Sequence, residues 1–132
     1  VSALLRIFVP GPVRNPLNGQ HGHWSKHRTW AKRWREATEY HLFVANWNGG
    51  NPKVSLTAPK RITFTVVSPR EWDDDNLAAA VKPVRDALVS MRVVHGDAPR
   101  HGHTFVYRQR RGRGEERGIE VVVEMMRRGV EG

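Results

Sequence analysis

Cysteine is absent from the chain, which excludes disulfides and any thiolate-ligated zinc site and is compatible with a reducing cytoplasm. No apolar run approaches the roughly 20 residues that a membrane-spanning helix requires. The opening Val1-Ser2-Ala3-Leu4-Leu5-Arg6 is too short and too soon interrupted to read as a signal peptide. The expected setting is therefore cytoplasmic, with no membrane partner. Acid is scarce as well: 13 Asp and Glu stand against 22 Lys and Arg, a formal net charge of +9. With 132 residues the chain is expected to form one domain, residues 1–132, around one modest core.

The surplus of base is mostly arginine, whose planar fork suits phosphate and guanine edges better than the point charge of lysine. A basic chain with clustered arginines fits a nucleic-acid partner. Arginine-rich composition also follows from a GC-rich genome, so composition by itself leaves both readings open. Against this background Asp73-Asp74-Asp75-Asn76-Leu77 is out of character. Adjacent carboxylates repel one another and are best tolerated when solvated or when a cation sits among them. Mg²⁺ takes carboxylate oxygens together with waters and substrate phosphate. A metal site aimed at a polyanion is one reading; an acidic turn capping a helix is the other.

Periodicity orders the elements. Leu4–Val9 reads as a first strand, stopped by Pro10-Gly11-Pro12. Residues 10–24 form a loop carrying Arg14 and His21-Gly22-His23; a second His-Gly-His stands at 101–103. The two pairs could form an imidazole metal site, or be solvated histidines of basic loops. Ser25 is a plausible N-cap for a helix to about Ala45, with Trp30, Trp34, Ala37, His41 and Val44 at helical spacing. The tryptophans read as core, and Trp24 as a weak base-stacking candidate. Lys26, Arg28, Lys32, Arg33 and Arg35 fill the remaining positions of that helix's first half.

Arg61–Ser68 alternates Ile, Phe and Val against Thr, a strand ended by Pro69. The acidic stretch thus lies just past a strand's carboxyl end, where active-site groups gather in α/β proteins. Leu77, Val81, Val84, Leu88 and Met91 then step by four, three, four and three, a helix whose phase runs through Pro83. Asp75, Ala79, Lys82 and Asp86 make the opposite stripe. Lys82 leans either toward the carboxylates or into a surface pair with Asp86. Thr104–Gln109 reads as a strand, and Arg110-Arg111-Gly112-Arg113-Gly114 as the start of a basic hairpin loop. Ile119–Met125 returns as its partner strand. The predicted fold class is α+β in two layers: β-α-β-α-β-β, a small mixed sheet with two helices packed on it.

From Leu4 to Met126, and most sharply from Arg70 to Pro99, the chain resembles the RusA-type Holliday-junction resolvases. That family carries D-x-D-N-L, then a lysine, then D-A-L, then an acidic D-D-A turn. Here these stand as Asp73-Asp74-Asp75-Asn76-Leu77, Lys82, Asp86-Ala87-Leu88 and Gly96-Asp97-Ala98. Two departures are visible: the family's lysine falls three residues after the Asn, where this chain has Ala79, and Gly96 replaces the first acid of the D-D pair.

The resemblance implies a Mg²⁺- or Mn²⁺-dependent homodimeric endodeoxyribonuclease that resolves four-way junctions by paired nicks leaving 5′-phosphate ends, in recombination and repair. It also implies that Asp73, Asp75 and Asp97 are metal-binding catalytic aspartates, and that Lys82 is the catalytic lysine. Arg14, Lys26, Arg28, Arg70, Arg110, Arg111 and Arg113 are candidates for contacts to the DNA backbone, which would make binding steeply salt-dependent. Two rival readings stand beside this one. The first is a nuclease of the same build acting on flaps, forks or D-loops. The second is a non-catalytic module that binds DNA or RNA structures.

Overall fold

The structure is a computed structural model that describes residues 3–14 and 24–126, with 24–27 described through their backbone alone. Six elements follow the predicted order: β1 (Leu5–Pro10), α1 (Trp24–Val44), β2 (Lys60–Ser68), α2 (Asp74–Ser90), β3 (Thr104–Arg111) and β4 (Gly118–Met125). Single 3₁₀ turns at Pro99–His101 and Gly114–Glu116 precede β3 and β4. The result is a four-stranded mixed sheet and two helices, an α+β fold.

Strand alternation puts Leu5, Ile7, Val9, Ile62, Phe64, Val66, Ile119, Val121 and Val123 on one face, all buried. Both helices cover that face. From α1 come Trp30, Trp34 and Leu42, and from α2 come Leu77, Val81, Val84 and Leu88. Each such side chain contributes about 1.5–3 kcal/mol by leaving water. The buried stripe of α1 runs Trp30, Trp34, Thr38, Leu42, with Thr38 Oγ1 donating to Trp34 O at 2.7 Å. Val44, expected in that stripe, is 61% exposed. The steps of four from Trp30 rotate the buried face away from it. Helix α2 continues through Pro83, which is itself buried.

The sheet order β1-β4-β2-β3 corrects the hairpin expected from Arg110 to Met125. Strand β4 pairs antiparallel with both β1 and β2, whereas β3 lies parallel to β2 at the edge. Burial accounts for the swap. Gly118–Met125 carries Ile119, Val121, Val122 and Val123 and suits a central position. Arg108, Gln109, Arg110 and Arg111 keep the outer half of β3 exposed, so that strand belongs at an edge. The chain crosses the end of β2 through Gly112, whose N–H donates to Ser68 O at 3.1 Å. A Cβ there would lie 2.4 Å from Val67 Cγ1, so only glycine allows the crossing this close. Arg110 and Arg111 are accordingly strand residues rather than loop residues.

Lys60, at the start of β2, is fully buried, and its ammonium donates to Ser55 O, Leu56 O and Ala58 O at 2.8, 3.2 and 3.0 Å. Three carbonyls satisfy its three N–H donors, and burial lowers its pKa from the usual lysine range. No helix among the described residues is long and apolar enough to cross a membrane.

Candidate functional site

Where β2 ends, its last side chain organises the loop beyond it. Ser68 is almost wholly buried, and its Oγ accepts from Arg70 N at 3.1 Å and from Trp72 Nε1 at 3.0 Å. From the other side Gln109 of β3 clasps Trp72. Its Oε1 accepts from Trp72 N at 2.8 Å and its Nε2 donates to Trp72 O at 2.9 Å. Residues 69–72 are therefore held by a serine on one strand and an amide on its neighbour. Asp73 follows as the N-cap residue of α2, in extended conformation with φ −69° and ψ 157°. Its backbone carbonyl accepts from Leu77 N at 2.9 Å, while its carboxylate makes no capping hydrogen bond. That leaves the carboxylate available at a helix N-terminus, whose dipole favours negative charge.

A cleft of about 500 Å³ opens here, lined by Pro12, Val13 and Arg14 after β1, Ser68–Asp73 and Asn76, and Arg117 before β4. Gly11 N donates to Arg117 O at 3.0 Å, and this bond brings the two loops side by side. Three guanidinium groups and two carboxylates, Glu71 and Asp73, thus share one concavity. It is an arrangement suited to holding a phosphate beside an acidic group.

The expected site residues distribute unevenly. Asp73, Arg14 and Arg70 line the cleft. Asp74 and Asp75 are exposed in the first turn of α2 and do not line it, while Asn76 does. Asp97 lies in the loop after α2, where its Oδ2 is 3.2 Å from Arg85 Nε. The contact has the distance of an ion pair without the alignment of a hydrogen bond. Arg85 also donates from Nη1 to Tyr107 Oη and lies 5.7 Å over the Phe105 ring. Arg85 stands 11 positions beyond Asp74, about 16 Å down the helix axis at 1.5 Å per residue.

Lys82 pairs with Asp86 at 3.0 Å, and both side chains are largely exposed. Arg28 lines a second groove between α1 and α2. Arg110, Arg111 and Arg113 are exposed at the end of β3 and in the turn beyond. The side chains of Lys26 and Trp24 lie outside the described residues, as do His21 and His23.

His101 and His103 both meet His95. The His95 ring centroid is 4.3 Å from that of His101 and 4.9 Å from that of His103. Lys60 N donates to His103 Nδ1 at 3.2 Å, and His103 Nε2 lies 3.1 Å from His95 Nδ1. Because Nδ1 accepts, a neutral His103 carries its proton on Nε2 and donates it to His95. The relay occupies both nitrogens of His103 and Nδ1 of His95, and it ties the 95–103 loop to the start of β2. Burial, then the charge of Lys60 and the neighbouring imidazoles, lowers the His103 pKa to about 4. His101 is lowered in the same direction, chiefly by desolvation. Among the described residues no group of three His, Asp or Glu side chains is placed to hold a metal ion.

Sequence reasoning did not single out Arg117, Ser68, Gln109 or Arg85. Arg117 follows a Gly-Arg-Gly run and looks like one more loop cation; only the β1–β4 pairing carries it to the cleft. Gln109 gives no sequence signal, since its partner is a backbone 37 residues away. No protein-family model and no curated protein matches the chain.

Proposed function

We propose that the chain is a metal-dependent, structure-specific endodeoxyribonuclease acting on branched DNA, resolving four-way junctions by paired nicks that leave 5′-phosphate ends. The observation that carries this reading is the Asp73 carboxylate, uncapped at the start of α2 and sharing a cleft with Arg14, Arg70 and Arg117. A chain of net charge +9 supports a polyanionic substrate.

Asp73 in the cleft, with Asp75 two residues on and exposed outside its lining, would supply the one or two carboxylates that Mg²⁺ or Mn²⁺ takes from a protein, the remaining positions being filled by waters and substrate phosphate. When bound, such a cation activates water and stabilises the charge that gathers on phosphorus. The chain's own part is positional. Arg14, Arg70 and Arg117 seat the phosphodiester through charge-assisted hydrogen bonds. The Ser68 and Gln109 contacts keep Trp72 and Asp73 in register with them. Asp97, the third aspartate implied by the resemblance, is 3.2 Å from Arg85 Nε through its Oδ2. Two copies related by a two-fold axis would place one cleft on each of two strands, which suits paired nicking.

The engagement of Asp97 by Arg85 favours a second reading, a non-catalytic module for DNA structures in which Asp73 serves as a helix cap. Cleavage of labelled synthetic four-way junctions, flaps and forks, each with Mg²⁺, Mn²⁺ or EDTA, separates the readings. Symmetric metal-dependent nicks confined to the junction are expected. Nicking of flaps or forks in preference would shift the substrate, and EDTA-indifferent binding without cleavage under either metal would overturn the enzyme in favour of the module.

A further inference from the structure

Beyond the cleft, the cationic face of α1 has no place in the proposed reaction. Arg28, Lys32 and Arg35 stand at i, i+4 and i+7 and together line a groove of about 550 Å³ between α1 and α2. Its other lining is Thr29 and Ala31 from α1 with Pro83 and Asp86 from α2. The floor is small and apolar at Ala31 and Pro83, so a rod of phosphates could approach closely. Lys82 adds a further cation at the rim through its 3.0 Å contact with Asp86. Three cations and one carboxylate line the groove, and Lys82 contacts that carboxylate.

Helical geometry sets its direction. Seven residues of helix return to nearly the same azimuth, about 20° short of two full turns. Asn76, which lines the cleft, and Pro83, which lines the groove, therefore lie on one side of α2. Asp73 and Asp86, which mark the two concavities, are 13 positions apart, about 20 Å at helical rise. That is a little over half of a duplex turn of about 34–36 Å.

We infer that the groove between α1 and α2 is a second phosphate-binding surface, which grips the backbone of a DNA arm whose reacting strand occupies the cleft. It reassigns Lys82 from the chemistry to this track. The inference rests on the nuclease reading for its substrate class, but it concerns binding alone.

The test compares Lys32→Ala/Arg35→Ala with Arg33→Ala/Lys53→Ala, which removes two exposed charges outside the groove. Affinity for a fluorescent four-way junction is measured by anisotropy in EDTA from 50 to 200 mM salt. Two lost phosphate contacts flatten the log K against log salt slope by about 1.8, so the parent should lose about twelve-fold more affinity than the groove variant over that range. The control pair should keep the parental slope. A groove variant with the parental slope, or a control that flattens equally, overturns the groove assignment while leaving the nuclease reading standing. A parent chain that binds no junction at 50 mM salt overturns the nucleic-acid reading itself.

Discussion

Replacing Ser68 by alanine tests how the candidate cleft is held. The hydroxyl is nearly buried and accepts from two donors, Arg70 N at 3.1 Å and Trp72 Nε1 at 3.0 Å. Its own donation to Arg70 O, at 3.5 Å, is too long to matter. Alanine fits the space and changes no backbone preference, so the loss is that of the two accepted bonds. Each is worth about 1 kcal/mol net, and a donor left buried without a partner costs about 1–3 kcal/mol. The Trp72 ring is half-buried, so water reaches part of the site. The expected destabilisation is therefore about 2 kcal/mol rather than the sum of two orphaned donors. For a domain of this size that lowers Tm by roughly 6–8 °C.

The effect on function should exceed the effect on the folded fraction, because the same bonds position residues 70–73. At a temperature where both proteins are fully folded, junction cleavage by Ser68→Ala should fall by about ten-fold or more, since small misplacements of catalytic groups carry large rate penalties. Urea titration followed by circular dichroism gives the first number, and single-turnover cleavage of a labelled junction gives the second. A variant whose urea midpoint matches the parent would refute the hydrogen-bond hub. Destabilisation with unchanged cleavage would show that the 69–72 loop does not position the reacting groups.

Asp73→Asn should abolish metal-dependent cleavage while junction binding in EDTA stays within a few-fold of the parent; full activity in this variant would sink the metal-site assignment. Lys82→Ala should cost less than about 1 kcal/mol by urea titration, as an exposed i,i+4 pair does; a loss of several kcal/mol would expose a structural role. Gln109→Ala should also slow cleavage, and combining it with Ser68→Ala should be non-additive, since both grip Trp72. Strict additivity in that double-mutant cycle would show two independent supports.

Stability should also fall in mild acid. His103 stays neutral in the folded chain down to about pH 4, whereas an unfolded imidazole takes its proton near pH 6.5. The unfolded state therefore gains protons first. Stability is undiminished by this group above about pH 6.5, declines by at most about 1.4 kcal/mol per unit as pH falls toward 4, and levels off below. Solvent access to the half-buried ring makes the measured slope shallower. Urea midpoints at pH 8, 6 and 4.5 for the parent and His103→Gln should differ in slope, and parallel acid losses would remove His103 as the cause.

The sequence determined whatever depends on near neighbours. Steps of three and four buried Leu77, Val81, Val84 and Leu88 on one side of α2, and strict alternation buried Ile62, Phe64 and Val66 in β2. The same local logic put Asp73 at a helix start just beyond a strand's end. Only the tertiary structure decided who meets whom. Strand β4 displaced β3 from the place beside it, because its run of valines is stabilised by central burial while the arginines of β3 require an edge. That exchange carried Arg117 to the cleft and set Gln109 beside Trp72. The family resemblance implies Asp97 as a third partner for Asp73 and Asp75, and its contact with Arg85 is known only from the structure. Spacing along a chain fixes which side of an element a residue occupies; the distance between elements depends on pairing energies summed over the whole sheet, which no local pattern records.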